Sequence, residues 1–243
     1  MADVRRVAVM VPSSDSVVEA DFKRYLPNSV TFHTARLMHR DETPRGVPTM
    51  DEICNGIEAA ADSLMQICPE LIVFGCTSAS FYKGVGWDEQ LRERITKRTG
   101  VPTIITSIAV RHAFEVLKVR KAFMITPYPE DMNRREIEFF AHHGIDISQF
   151  SHFPLKLSRD ICLVEPHDIF SRATNEKERI KKCGALFISC TGLRAMEICA
   201  SLEKSLDVPV LTSNASLVFA IYEHLKGTEL IELDNSLFKK LAA

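Results

Sequence analysis

The sequence predicts an α/β protein of two pseudo-symmetric lobes, each a parallel sheet flanked by helices, with the active site between the lobes. Short apolar runs alternate with amphipathic stretches along all 243 residues. Most of these runs lack the in–out alternation of a sheet with one wet face, so they read as strands buried on both faces and joined through helices. Segments of the first half also recur, in order, in the second.

In chain order, Val7–Val11 is the first strand, and Ser14 or Asp15 caps a helix beginning near Val17. Val30–Ala35 is the second strand, followed by helix-like spacing over Met50–Gln66. Leu71–Phe74 is the third strand; Asp88–Lys97 is helical; Pro102–Thr106 is the fourth strand and Ile108–Leu117 the helix after it. The second half repeats the alternation. Strands are expected at Ala122–Thr126, Ile145–Phe150, Ala185–Ser189 and Pro209–Leu211. Helices are expected at Glu130–His142, Pro166–Lys182, Leu193–Ser205 and Ala215–Leu225.

The repeat is specific. Val7-Ala8-Val9-Met10-Val11-Pro12 resembles Ala122-Phe123-Met124-Ile125-Thr126-Pro127, with Pro127 lying 115 residues after Pro12. Phe74-Gly75-Cys76-Thr77 resembles Ile188-Ser189-Cys190-Thr191 at a spacing of 114, and Val101-Pro102 resembles Val208-Pro209 at 107. These matches divide the chain into an N-terminal lobe, 1–117, and a C-terminal lobe, 118–215, with the final segment 216–243 expected to pack back on the first.

Composition narrows the function. A hydrophobic share of 46% and a charged share of 26% are those of a globular domain. A net charge of -2 leaves no basic excess for nucleic acid or a membrane surface. The apolar run before Pro12 is too short for a secretory leader or a membrane span, so a cytoplasmic protein is expected. Seven cysteines in that setting are expected as thiols. No Cys-x-x-Cys or His-Glu-x-x-His occurs, His142-His143 reads as surface, and Gly84-Val85-Gly86 lacks the strand–turn–helix setting of a nucleotide loop. No metal and no cofactor are therefore expected. A homo-oligomer is the default assembly.

The chemistry sits at the strand ends, where parallel sheets bind their ligands. Both halves place a Cys-Thr pair there, Cys76-Thr77-Ser78 and Cys190-Thr191-Gly192. Small neighbours let a ligand approach, and helix-starting N–H groups are expected to hold a carboxylate and to lower the thiol pKa. Two thiols facing one substrate suit proton removal and delivery on opposite faces, or thiolate addition to an alkene followed by rotation. Ser14 and Asp15 after the first strand, Tyr128 after its repeat and Asn214 after the last strand would ring the same cleft. Cys54, Cys68, Cys162, Cys183 and Cys199 read as packing residues.

Gly75-Cys76-Thr77-Ser78-Ala79-Ser80-Phe81, Thr126-Pro127-Tyr128-Pro129, Ser189-Cys190-Thr191-Gly192-Leu193-Arg194-Ala195 and Thr212-Ser213-Asn214-Ala215 together resemble the maleate cis-trans isomerase and arylmalonate decarboxylase group of the aspartate/glutamate racemase superfamily. The resemblance implies a two-lobed fold, a site between the lobes, a small carboxylic-acid substrate and no cofactor. It implies Cys76 as nucleophile and Cys190 as acid/base, with Tyr128, Thr77, Ser78 and Thr191 holding carboxylate oxygens. Decarboxylases of the group carry glycine at the first cysteine, so Cys76 points to an isomerase. Maleate isomerases resemble Pro-Ser-Ser-Asn where this chain has Asp15, and amino-acid racemases of the superfamily resemble its Asp15-Ser16. A two-base racemase or epimerase is therefore the alternative expectation, and a decarboxylase a further one. Relatives place Gln after the Asn that corresponds to Asn214, where this chain has Ala215.

Overall fold

The computed structural model describes residues 4–40, 46–231 and 233–241. Residues 1–3 at the start of the sequence, and Glu232, Ala242 and Ala243 of the expected tail, lie outside the described residues. Among the described residues, eight parallel strands form two four-stranded sheets. The first holds β1 (Arg5–Pro12), β2 (Val30–Leu37), β3 (Leu71–Phe74) and β4 (Thr103–Ile105) in the order β2-β1-β3-β4. The second holds β5 (Lys121–Thr126), β6 (Asp146–His152), β7 (Leu186–Ile188) and β8 (Val210–Thr212) in the order β6-β5-β7-β8.

The strand register carries the sequence repeat. Met10 pairs with Phe74 in the first sheet, as Ile125 does with Ile188 in the second. Phe74 then pairs with Ile105, as Ile188 does with Thr212. The equivalent residues are 115, 114 and 107 apart, the same spacings that relate the sequence segments. Strands β3 and β7 are buried throughout, which is why their sequences show apolar runs and no alternation.

Eleven α-helices are assigned among the described residues: α1 (Val17–Tyr25), α2 (Val47–Asn55), α3 (Ile57–Leu64), α4 (Thr77–Phe81), α5 (Trp87–Thr99), α6 (Thr106–Val116), α7 (Glu130–His142), α8 (Pro166–Asn175), α9 (Lys177–Cys183), α10 (Cys199–Leu206) and α11 (Ser213–His224). Two expected long helices are each broken. The stretch Met50–Gln66 divides at Gly56, a poor helix former, and ends in a 3-10 turn over Met65–Ile67. Pro166–Lys182 divides at Glu176 between α8 and α9. The expected helix Leu193–Ser205 starts only at Cys199, after a turn and the 3-10 segment Met196–Ile198. Thr106 opens α6 rather than closing β4, so strand passes into helix without a loop.

One apolar core runs through both halves. Phe114 on α6, Phe140 on α7 and Phe187 on β7 form a closed aromatic trio with ring centroids 5.6–5.8 Å apart. All three are fully buried. Helix α11 packs against α6 and α1, and the Tyr222 hydroxyl donates to the Tyr25 carbonyl at 2.8 Å. In the tail, Asn235 Nδ2 donates to the Val210 carbonyl at 3.1 Å, and the Phe238 ring lies 6.2 Å from Phe219. No helix among the described residues is long and apolar enough to cross a membrane.

Candidate active site

Each cysteine stands at the carboxyl end of the third strand of its sheet. After β3, Gly75 brings the backbone close to β1; a Cβ there would meet Val11 Cγ1 at 3.2 Å. Cys76 is then the N-cap of α4. After β7, Ser189 leads to Cys190, whose φ of 110° is one that side-chain-bearing residues rarely adopt. This strained residue is fixed from the end of the neighbouring strand β8, where its backbone N–H donates to Ser213 Oγ at 3.1 Å. The Thr77 hydroxyl donates to the same Ser213 oxygen at 2.9 Å. One serine in the first turn of α11 therefore ties both cysteine segments together, and the Thr191 hydroxyl adds a longer bond to the Gly75 carbonyl at 3.4 Å.

Both thiols line one cavity with about 400 Å³ of empty space, open solvent at its mouth included. Of the residues singled out in the sequence, Ser14, Asp15, Cys76, Thr77, Ser78, Tyr128, Cys190, Thr191 and Gly192 all line it. Asn214 does not. It lies buried behind the wall, where its Nδ2 donates to Asp21 Oδ2 at 2.7 Å and to the Thr191 carbonyl at 2.9 Å. Its place in the fold is to hold the Thr191 turn against α1.

Two local expectations require correction. Cys190 is followed by a turn and not a helix, so a helix N-terminus serves only the Cys76 side. Nor is the Cys76 thiol acidified. Burial pushes it up to about 12, the neighbouring Cys190 sulfur adds to the rise, and the Ala79 N–H and Ser78 hydroxyl offset only part of it. A five-residue helix supplies too little field to outweigh the loss of water around a 4% exposed sulfur. Cys76 rests as a thiol.

Asp15 does cap α1: its Oδ1 accepts from Val17 N at 2.9 Å and Val18 N at 3.1 Å. Burial raises its pKa, against the lowering effect of the Thr191 hydroxyl, these two N–H groups and Arg36. Arg36 Nη1 donates to the Asp15 carbonyl at 2.6 Å, and the guanidinium is paired with Glu19, so this cation holds the loop and not the cavity. Tyr128 is fixed through its backbone; Asn133 Nδ2 donates to its carbonyl at 3.0 Å, and Thr126 Oγ1 accepts from its N–H at 3.2 Å. Burial, with Cys190 and Glu136 nearby, raises its pKa, so the phenol stays a hydrogen-bond donor.

Further lining residues carried no motif in the sequence: His39, Met50, Ile53, Ser158, Ile161 and Cys162. His39 could have been found from its place just beyond β2, at the same sheet end as Asp15. Cys162 was expected to be a packing residue, yet it lines the cavity and its thiol donates to the Ser14 carbonyl at 3.3 Å. It lies on the 3-10 segment Ser158–Leu163, which closes over Gly192; a Cβ on Gly192 would meet Ile161 Cγ2 at 3.1 Å. Cys68, also expected to pack, is exposed after a tight turn, while Cys54, Cys183 and Cys199 are buried. His143 is half-buried and takes a 3.1 Å bond between its Nδ1 and Arg111 Nη1. Among the described residues no group of three or more His, Cys, Asp or Glu side chains is placed to hold a metal.

Behind Cys190 lies a buried acid. Glu136 on α7 is fully buried and accepts from the Ser189 hydroxyl at 2.5 Å, and burial pushes its carboxyl up to about 8. A carboxyl raised on folding binds its proton more tightly in the native state. Its contribution to stability is present below the unfolded value of 4.5 and is lost as pH rises towards 8. One such group changes stability by at most about 1.4 kcal/mol per pH unit. Asp21, pushed up to about 7 by burial, acts in the same direction. Thermal unfolding followed by circular dichroism is thus expected to show Tm falling between about pH 5 and 8, less steeply in Glu136→Gln. Equal slopes would show that Glu136 is not protonated in the native state.

The family profile described as arylmalonate decarboxylase matches residues 7–232. The chain is 24% identical over 213 residues to an arylmalonate decarboxylase of Bordetella bronchiseptica, covering 88% of this chain and 87% of that one. It is 19% identical to a maleate isomerase of Nocardia farcinica, covering 91% and 90%. Among solved structures, it superposes with a TM-score of 0.87 and 23% identity on a liganded arylmalonate decarboxylase variant in which a glycine is replaced by cysteine and a cysteine by serine; the match covers 96% of this chain and 98% of that one. It superposes with a TM-score of 0.82 and 17% identity on a cysteine-to-serine variant of the Nocardia farcinica maleate cis-trans isomerase that holds a covalently bound succinylcysteine intermediate, covering 91% and 92%.

Proposed function

As the chain belongs to the arylmalonate decarboxylase family, we propose that it is a cofactor-independent isomerase that uses Cys76 and Cys190 on a small carboxylate, in the manner of a maleate cis-trans isomerase. The observation that carries this reading is the presence of both thiols on one small cavity, together with donors at the start of α4. The succinylcysteine in the Nocardia farcinica relative supports a covalent route.

One substrate carboxylate docks where the backbone N–H groups of α4, the Ser78 hydroxyl and Tyr128 converge. Cys76 sulfur bonds to one alkene carbon as the π bond breaks. The electron pair moves to the other alkene carbon, which takes the proton of Cys190. The thiol proton of Cys76 passes to Cys190 in exchange, so a thiol has added across the double bond and no charge is left behind. The single bond between the two carbons rotates. The steps then reverse: Cys190 takes the carbon-bound proton and returns its own to the departing Cys76 sulfur, as the carbon–sulfur bond breaks and the double bond re-forms. A high resting pKa on Cys76 suits this route, since the proton is surrendered only as the carbon–sulfur bond forms.

Asp15 favours a second reading. It lines the cavity where an amide is expected in a maleate isomerase, and an amine-bearing substrate would give it a partner. The two thiols would then act as opposed bases of a racemase or epimerase. Proton NMR in deuterium oxide separates the readings. Maleate converting to fumarate is the result expected. Unchanged maleate with deuterium entering the α-carbon of an amino acid would replace the isomerase by the racemase, and loss of carbon dioxide from a malonate would replace both by a decarboxylase.

A further inference from the structure

We propose that His39 determines substrate specificity by binding a second acidic group of the substrate, the one not held at the start of α4. The inference rests on the reading of this cavity as the active site. Among the described residues that line the cavity, His39 is the only one whose side chain can carry positive charge. The nearby guanidinium of Arg36 is committed to the Asp15 carbonyl and to Glu19. A second carboxylate brought out of water into this space needs a donor or a cation, because an uncompensated buried charge is strongly unfavourable.

The ring is set for that task. His39 is 8% exposed, and its Nε2 is 2.9 Å from Ser14 Oγ, which fixes the ring's orientation. Its Nδ1 is buried and has no hydrogen-bond partner among the described residues. A buried ring nitrogen without a partner carries a desolvation penalty, which a bound acid accepting a hydrogen bond from Nδ1–H relieves. Ser14 completes the arrangement. When the imidazole is protonated, Nε2–H donates to Ser14 Oγ, and the serine's own hydroxyl hydrogen is freed to point at the ligand.

The test compares two unreactive acids of equal carbon count, succinate and butyrate, by calorimetric titration of the full chain. The wild-type protein is expected to bind succinate about ten- to a hundredfold more tightly than butyrate. In His39→Leu that ratio is expected to collapse towards one while butyrate affinity stays within about twofold. His39→Asn, whose amide reaches the place of Nδ1, is expected to restore part of the ratio, which a purely structural role for the ring would not produce. Circular dichroism confirms that each variant is folded. A preserved ratio in His39→Leu overturns the proposal, as does a wild-type protein that binds butyrate at least as well as succinate or binds neither. The outcome is separable from the isomerase reading. A ratio that depends on His39 in a protein inert towards maleate would remove the reaction and leave the specificity.

Discussion

Replacing Cys76 by alanine is expected to slow maleate isomerisation by about 10³-fold or more, on the order of 4 kcal/mol of barrier. Cys190→Ala is expected to slow it by about 10²–10⁴-fold. The two losses have different origins. Without Cys76 no carbon–sulfur bond forms and the alkene cannot rotate. Without Cys190 the bond can form, but the neighbouring carbon loses its proton donor and its later acceptor. The combined variant is expected to be little worse than Cys76→Ala alone, because both residues serve one sequence of steps. Steady-state rates from ultraviolet absorbance, with circular dichroism to confirm folding, check this. Each alanine removes a single sulfur from a site whose backbone is held by Ser213 and Gly75, so the fold is expected to survive. Activity within about tenfold of wild type in either variant would remove the two-thiol mechanism.

Phe140→Ala is expected to cost about 3–5 kcal/mol of stability and to lower Tm by roughly 10 °C. Phe140 is fully buried and lies 5.8 Å from Phe114 and 5.6 Å from Phe187 by ring centroid. The trio joins α6, which follows the first sheet's last strand, to α7 and β7, and β7 leads directly to Cys190. Its truncation is therefore expected to lower the temperature at which activity is lost as well as Tm. Differential scanning calorimetry and a thermal-inactivation series measure the two together. A Tm within about 2 °C of wild type would mean that the core closes over the gap, and that this trio does not hold the halves in place.

The sequence was most readable where burial on both faces dictates residue type. Strands β3 and β7 had to be apolar throughout, and the recurrence of their flanking Cys-Thr pairs exposed the repeat that the strand register reproduces. Helix continuity was less readable. Gly56 lies within an amphipathic pattern that does not betray a break, and its position against Leu37 depends on tertiary packing, with Leu37 Cδ2 at 3.4 Å from a Cβ built there. The site was legible in its strand-end residues and not in its walls. His39, Ile161 and Cys162 reach the cavity through folding of segments distant from either cysteine. Cys162 looked like any packing thiol because composition does not distinguish a buried wall from a cavity wall. The raised thiol pKa is hidden in the sequence for a related reason. A helix N-terminus is visible in sequence as Cys-Thr-Ser, whereas the near-complete burial of Cys76 is not. Asn214 sits at a strand end like the others, but its amide is turned to Asp21 and away from the cavity.

The shared action of the two thiols on one bound acid is tested most directly by intact-mass spectrometry of the Cys190→Ser protein after incubation with maleate. The expected result is a single mass increment of one substrate molecule, located on Cys76 by peptide mapping and absent from Cys76→Ala. An unmodified protein, or an increment carried by one of the other cysteines, would contradict the account.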